Sequence, residues 1–296
     1  MVFHSARFFA CANLCLSNEN IWYIRLTVPG RDTILFSGNV VKNQASWYDS
    51  NDGTKVFVGQ LKPIHNSRFS AVIDPALPSA IVENLSAFLP KAMEVLANQL
   101  KANSKHPMLF ASYGPTDEEE YGRQGGVLPN QIFMHWYGKI TPINQYELLW
   151  FYAHEAVHVY QDIAAAKIAE KDAWIHEGHA EYLASKLLEQ FLPESKSYIL
   201  SRLNQAEAEC KQMLKTTSLD VLAENGEYQA LYYCGLQFYQ LAERYSKDKE
   251  IGYKLWQHLA RDKGTERQID AKSLLKVLSN YIDDEGLVRI KTELGI

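Results

Sequence analysis

From Leu148 to Ala166 this chain has no Lys or Arg, and its only carboxylates there are Glu155 and Asp162. A helix made from that stretch has no face suited to water, so other elements must bury it on most sides. The 296 residues, 47% hydrophobic and 22% charged, supply enough apolar material for one large domain or two lobes.

The periodicity changes along the chain. In IWYIRLTV, Trp22, Ile24, Leu26 and Val28 alternate with polar or amphipathic residues, which is strand spacing. The turn signal Pro29-Gly30-Arg31-Asp32 makes TILFS its expected hairpin partner. KVFVGQL, FSAVID, MLFASY and QIFMHWY read as further strands, and the acidic, Gly-rich 117–126 as a surface loop. Ala80 to Leu100 reads as an amphipathic helix. After Pro142 helices are expected near 144–166, 174–191, 194–214, 227–246, 250–261 and 270–282. The plan is α+β: an N-terminal segment 1–20, a β-rich subdomain 21–140 and a helical subdomain 141–296.

The net charge of −5 and the scattered Lys and Arg argue against nucleic acid as a partner. No apolar run approaches the length of a membrane span. Cys11, Cys15, Cys210 and Cys234 are too few and too irregular for a disulfide framework or a Cys-rich zinc site. Phe8 to Leu16 resembles a weak secretory h-region with a poor cleavage site at Ala10-Cys11-Ala12, although a packed N-terminus would have the same composition. The balance favours a periplasmic or secreted protein over a cytoplasmic one. Nothing in the sequence specifies an oligomeric state.

His154-Glu155-Ala156-Val157-His158 is an HExxH sequence. Four helical residues give a net rotation of about 40° and a rise of about 6 Å, so both imidazoles point the same way and can share one zinc ion. Glu155 lies beside the first ligand, where it can act on water rather than on the metal. An uncompensated carboxylate in a buried helix costs several kcal/mol, and a nearby divalent cation removes that cost. A catalytic zinc site needs a third protein ligand and an open position. By chemistry alone the candidates are His176, Glu177 and His179 in WIHEGHAEY.

HEAVH followed after eighteen residues by the Glu of WIHEGHAEY resembles the gluzincin metallopeptidases, distantly the zinc domain of their aminopeptidase branch. Trp174, Glu177, Gly178, Ala180 and Tyr182 match that family's W-x-x-E-G-x-A-x-Y helix, and the resemblance spans roughly 130–245. It implies a zincin-like fold, a small mixed sheet and a helical lobe with the active-site cleft between them. It also implies Glu177 as third ligand, and small Gly178 and Ala180 would let this helix lie close against the HExxH helix. The metzincin pattern is excluded, because Gln161 and Ala164 stand where it requires Gly and His.

Tyr232-Tyr233-Cys234-Gly235 matches the Y-x-x-G context in which aminopeptidase-type gluzincins carry an oxyanion-binding Tyr. The match implies Tyr232, with Tyr228 and Tyr233 as rivals; a core stripe of Tyr228, Tyr232, Gly235 and Tyr239 would give the same spacing. The departure is GGVLPNQIFMHWY, which lacks the family's amine-binding Glu and puts aminopeptidase activity in doubt. Gln131 to Met134 could still be an edge strand for an extended peptide. Asp162 and Glu181 are the carboxylates expected behind the ligand histidines.

AAAKIAEKDA (164–173) favours helix, yet an unbroken helix to Lys171 would run about 20 Å past His158. The helix must therefore end between Asp162 and Ile168. The expectation is a zinc metallopeptidase acting on a peptide or protein, with Glu155 as general base. The alternatives are a zinc hydrolase of a non-peptide amide or ester and a non-catalytic binding protein on the same scaffold.

Overall fold

The computed structural model describes residues 2–5, 22–49, 53–66, 69–100, 106–114, 116, 122–128, 130–161, 167–261 and 268–296. The Phe8–Leu16 run, Cys11, Cys15, residues 117–121 and Asp162 lie outside them. The chain is mixed α+β, with strands in the N-terminal part and helices in the C-terminal part. It divides into two compact units, residues 1–90 with 104–141 and residues 91–103 with 142–296.

In the first unit, β1 (Val2–His4), β3 (Thr33–Phe36), β4 (Asn39–Lys42) and β6 (Lys55–Gly59) form one sheet in the order β1-β6-β3-β4. The expected pairing of the first long strand is corrected here. β2 (Trp22–Thr27) pairs with β5 (Gln44–Asp49), whereas TILF pairs with β4 through a tight turn at Ser37 and Gly38. Both turn residues have positive φ, 47° and 74°, the conformation that matches strand twist in a two-residue hairpin. That local closure takes TILF away from β2.

Ile34 and Leu35 are adjacent and both fully buried, one in a cluster with Trp47 and Val56, the other with Phe57, Val72 and Phe110. The sheet is therefore covered on both faces, which is why TILF and KVFV read as continuous apolar runs.

A five-stranded mixed sheet follows the order β10-β11-β9-β8-β7, with β7 (Ile64–His65), β8 (Ser70–Ile73), β9 (Met108–Gly114), β10 (Gly122–Leu128) and β11 (Gln131–Tyr137). β11 is flanked on both sides, parallel to β9 and antiparallel to β10. Two expectations change as a result: β11 is not an edge, and residues 122–126 belong to a strand rather than to a loop. A side chain at Gly125 would run into the backbone of Phe133 and Met134, so the glycines that suggested a loop permit the close pairing.

Helix α1 (Ser79–Leu100) contributes its last turns to the second unit, which holds α2 (Pro142–Gln161), α3 (Trp174–Phe191), α4 (Lys196–Met213), α5 (Leu219–Glu224), α6 (Tyr228–Ser246), α7 (Ile251–Arg261), α8 (Ala271–Leu278) and α9 (Asp284–Leu294). Short helices α5 and α9 fall outside the segments expected from periodicity. A two-stranded parallel pair joins β12 (Lys167–Ile168) to β13 (Gln268–Ile269). The helical run from α2 is thus interrupted before Glu177, against the local propensity of 164–173. Leu148, Leu149, Tyr152, Ala153, Ala156 and Val157 are fully buried, as a helix nearly free of charge requires.

Candidate metal centre

One turn of α2 separates His154 from His158, and Glu177 sits in the first turn of α3. Their inward atoms converge. The two Nε2 atoms lie 2.9 Å apart, and Glu177 Oε2 lies 3.2 Å from each of them.

The outward nitrogens explain what this cluster can hold. His154 Nδ1 is 2.9 Å from Glu181 Oε1, and His158 Nδ1 is 2.7 Å from Gln161 Oε1. Both partners are acceptors: His158 Nδ1 donates to Gln161, while the His154–Glu181 contact is an ion-pair distance without hydrogen-bond alignment, and in both rings Nε2 is the nitrogen that faces inward. Two lone pairs and a carboxylate oxygen this close can coexist only around positive charge, a proton or a metal ion. Two imidazoles and one carboxylate are also a ligand set that zinc accepts in catalytic sites. The residues fit the ion.

The electrostatics agree. Burial alone would lower His154, but hydrogen bonds to Glu177 and Glu181 outweigh it and lift it to about 10. Burial would raise Glu177, but His154, His158 and His176 hold it well below the usual carboxylate range. Glu181 is likewise held down to about 2, against its burial, by His154 and Arg202. Its Oε2 accepts from Trp150 Nε1 and from an Arg202 guanidinium nitrogen, each at 3.0 Å, and the guanidinium lies 4.9 Å over the Trp150 ring.

Glu155 is half-buried, and that burial pushes its carboxyl up despite the nearby histidines. The Tyr232 ring lies 5.7 Å from the His154 ring, and its hydroxyl is raised by burial and by Glu177, Glu155 and Glu181. Of its rivals, Tyr228 is 60% exposed. His176 Nε2 lies 3.3 Å from Glu177 Oε1, the other carboxylate oxygen, with its ring 5.6 Å from that of His158. His179 is fully buried, with its nitrogens engaged by Gln161 and the Gly252 carbonyl.

Neither a protein-family model nor a curated protein sequence matches the chain. Solved structures do. The M1 zinc metallopeptidase from Deinococcus radiodurans aligns over 98% of this chain and 67% of its own, at 12% identity and TM-score 0.52. A mutant of it bound to a Tyr-Ser-Ala substrate aligns over 93% and 63%, at 12% identity and TM-score 0.53. Yeast LTA4 hydrolase aligns over 93% of this chain but 46% of its own, at 13% identity and TM-score 0.58. The fold resembles that of M1 zinc metallopeptidases. The chain spans about half to two thirds of the length of these proteins.

Within that fold the glycines of the two motifs have one shared reason. A Cβ on Gly178 would lie 2.5 Å from Gly235 O, and a Cβ on Gly235 would lie 2.7 Å from Gly178 Cα. Helices α3 and α6 therefore cross in backbone contact. This corrects the expectation that Gly178 faces the HExxH helix. Because Glu177 precedes one glycine and Tyr232 lies three residues before the other, the crossing brings these two side chains together. Tyr239 pins the same contact by donating to Ile175 O at 3.0 Å.

Sequence reasoning missed several supports. Gln161 stands three residues after His158 and Trp150 four before His154, both at helical spacing from a ligand. Arg202 has no such signal. A disulfide joins Cys210 on α4 to Cys234 on α6, where the sequence suggested only that no framework of disulfides exists.

Proposed function

We propose that the chain is a zinc-dependent metallopeptidase of the gluzincin type, with His154, His158 and Glu177 holding the ion. The observation that carries this reading is the convergence of two Nε2 atoms and one carboxylate oxygen within 3.2 Å, with both outer nitrogens facing acceptors. When bound, zinc supplies a Lewis acid that polarises a carbonyl and makes water nucleophilic near neutral pH.

The protein's own groups do the rest. Glu155, raised by burial, takes a proton as water oxygen attacks the peptide carbonyl carbon, and returns it to the amide nitrogen as the C–N bond breaks. Tyr232, kept protonated by burial and by its carboxylate neighbours, donates a hydrogen bond to the oxygen on which negative charge develops. Glu181 and Gln161 hold the ligand rings by their Nδ1 atoms. Among the described residues β10 rather than β11 is the outer strand of its sheet, the position to which an extended peptide would add. The buried Cys210–Cys234 bond supports a periplasmic or secreted protein, since such bonds persist in oxidising compartments.

A zinc hydrolase of a non-peptide substrate is the second reading. It is favoured by the absence of an amine-binding Glu along Gln131–Tyr137 and by a neighbour named for hydrolysing LTA4. Metal analysis and a mixed peptide pool decide. Glu155→Gln should keep wild-type zinc content and lose about 10²–10⁴-fold of the cleavage rate. A wild type that binds zinc but cleaves no peptide leaves the second reading; equal inertness on every substrate class removes the enzyme reading.

A further inference from the structure

We propose that Gln161 and His179 are positioning residues that fix His158 with its proton on Nδ1, and that α7 anchors this relay. The inference rests on the metal-centre reading and extends it to a helix outside the 130–245 segment that carries the family motifs.

Two main-chain carbonyls determine every proton in the relay. One side-chain amide atom of Gln161 lies 2.9 Å from His176 O. A carbonyl only accepts, so that atom is Nε2; flipping the amide would set oxygen against oxygen. Oε1 is then the atom 2.7 Å from His158 Nδ1, which must donate to it. The second N–H of Gln161 points at His179 Nδ1, 2.8 Å away, which must therefore accept. On the other side of that ring, His179 Nε2 lies 3.2 Å from Gly252 O and must be the donor. Each donor meets one acceptor, and no alternative assignment satisfies both carbonyls. In the neutral ring His158 Nε2 then keeps its lone pair, which faces the space shared with His154 Nε2 and Glu177.

Helix α7 holds the relay at two further points. The Trp256 ring stacks on His179 with centroids 4.8 Å apart and an interplanar angle of 12°. Its Nε1 donates to the main-chain carbonyl of Gln161 at 3.3 Å. His179 and Trp256 are buried, so water does not compete for these groups. His179 has the chemistry of a metal ligand, but both its nitrogens are committed to the relay.

The test uses the full chain, with zinc ion alone as probe. In metal-free wild type at mildly alkaline pH, long-range imidazole ¹⁵N–¹H correlations should show His158 protonated at Nδ1; protonation at Nε2 alone overturns the proposal. Chelator competition should give a zinc Kd about 10–100-fold weaker for Gln161→Met and for His179→Phe. Gln161→Glu keeps an acceptor for His158 but sets a carboxylate against His176 O, so it should recover zinc affinity while remaining thermally less stable than wild type. If affinity instead follows melting temperature across the variants, or Gln161→Met binds zinc like wild type, the positioning role is refuted. Should the variants not fold, the wild-type tautomer decides. Failure of wild type to bind zinc removes the metal-centre reading, while the tautomer still judges the relay.

Discussion

Replacing Gly178 by Ala tests how much of the site depends on one helix crossing. In an isolated helix the change would stabilise by about 1 kcal/mol, because Gly is a poor helix former. Here the new Cβ would lie 2.5 Å from Gly235 O, and the obstacle is backbone rather than a side chain that can rotate away. Carbon atoms rest at about 3.5–4.0 Å, and the Gly235 carbonyl carbon and Cα lie nearer still, so α3 and α6 must part by roughly 1.5 Å. Overpacking of this kind costs about 3 kcal/mol at the upper end of its range, which leaves a net loss of about 2 kcal/mol. Urea unfolding of the metal-free chain measures it as a lower midpoint at unchanged slope. The same separation draws Tyr232 away from Glu177 and His154, so peptide cleavage should fall more than zinc content. Gly235→Ala meets Trp174 O and Gly178 Cα, and the double variant should cost clearly less than the two single losses combined, because both clashes open the same gap. A Gly178→Ala protein as stable as wild type would refute the reasoning.

Tyr232→Phe should lower kcat by about 10²–10³-fold with zinc content unchanged, measured on any cleaved peptide; the same loss from Tyr228→Phe instead would reassign the role. Replacing Cys210 and Cys234 together by Ala should cost about 3.5 kcal/mol for a bridge that spans 24 residues, read from denaturant midpoints. Asp172 is 2% exposed and accepts from the Ala271 amide at 3.1 Å, and burial raises its carboxyl. A raised folded-state value means stability that is full below the unfolded carboxylate range and lost as pH rises through the folded one. The stability of Asp172→Asn relative to wild type should therefore improve between acid and neutral pH, as melting temperatures at both would show.

What the sequence makes legible depends on how local the cause is. HEAVH and WIHEGHAEY locate the cluster because helical spacing alone aims His154 and His158 together, and the alternation of strand and helix patterns gives the α+β plan. The partner of β2 is not legible locally, because a turn signal after Val28 competes with the better hairpin at Ser37-Gly38. β10 was hidden by its own glycines, which suggest loop until Phe133 is seen against Gly125. Helical spacing places Gln161 beside His158, but what it then bonds, like the role of Arg202, depends on where α7, α3 and α4 pack, and no local pattern encodes that. The Cys210–Cys234 pairing depends on the same packing.

The Gly252 carbonyl that receives the His179 proton lies 73 residues further along the chain. Biosynthesis gives that separation a meaning. A nascent chain that has emerged only as far as α6 already displays HEAVH, WIHEGHAEY and Tyr232, yet neither Gly252 nor Trp256. His179 then lacks its acceptor and its stacking partner, while the His176 carbonyl still holds the Gln161 amide. The His158 end of the relay is therefore set before its far end, which is anchored only once α7 has emerged as well.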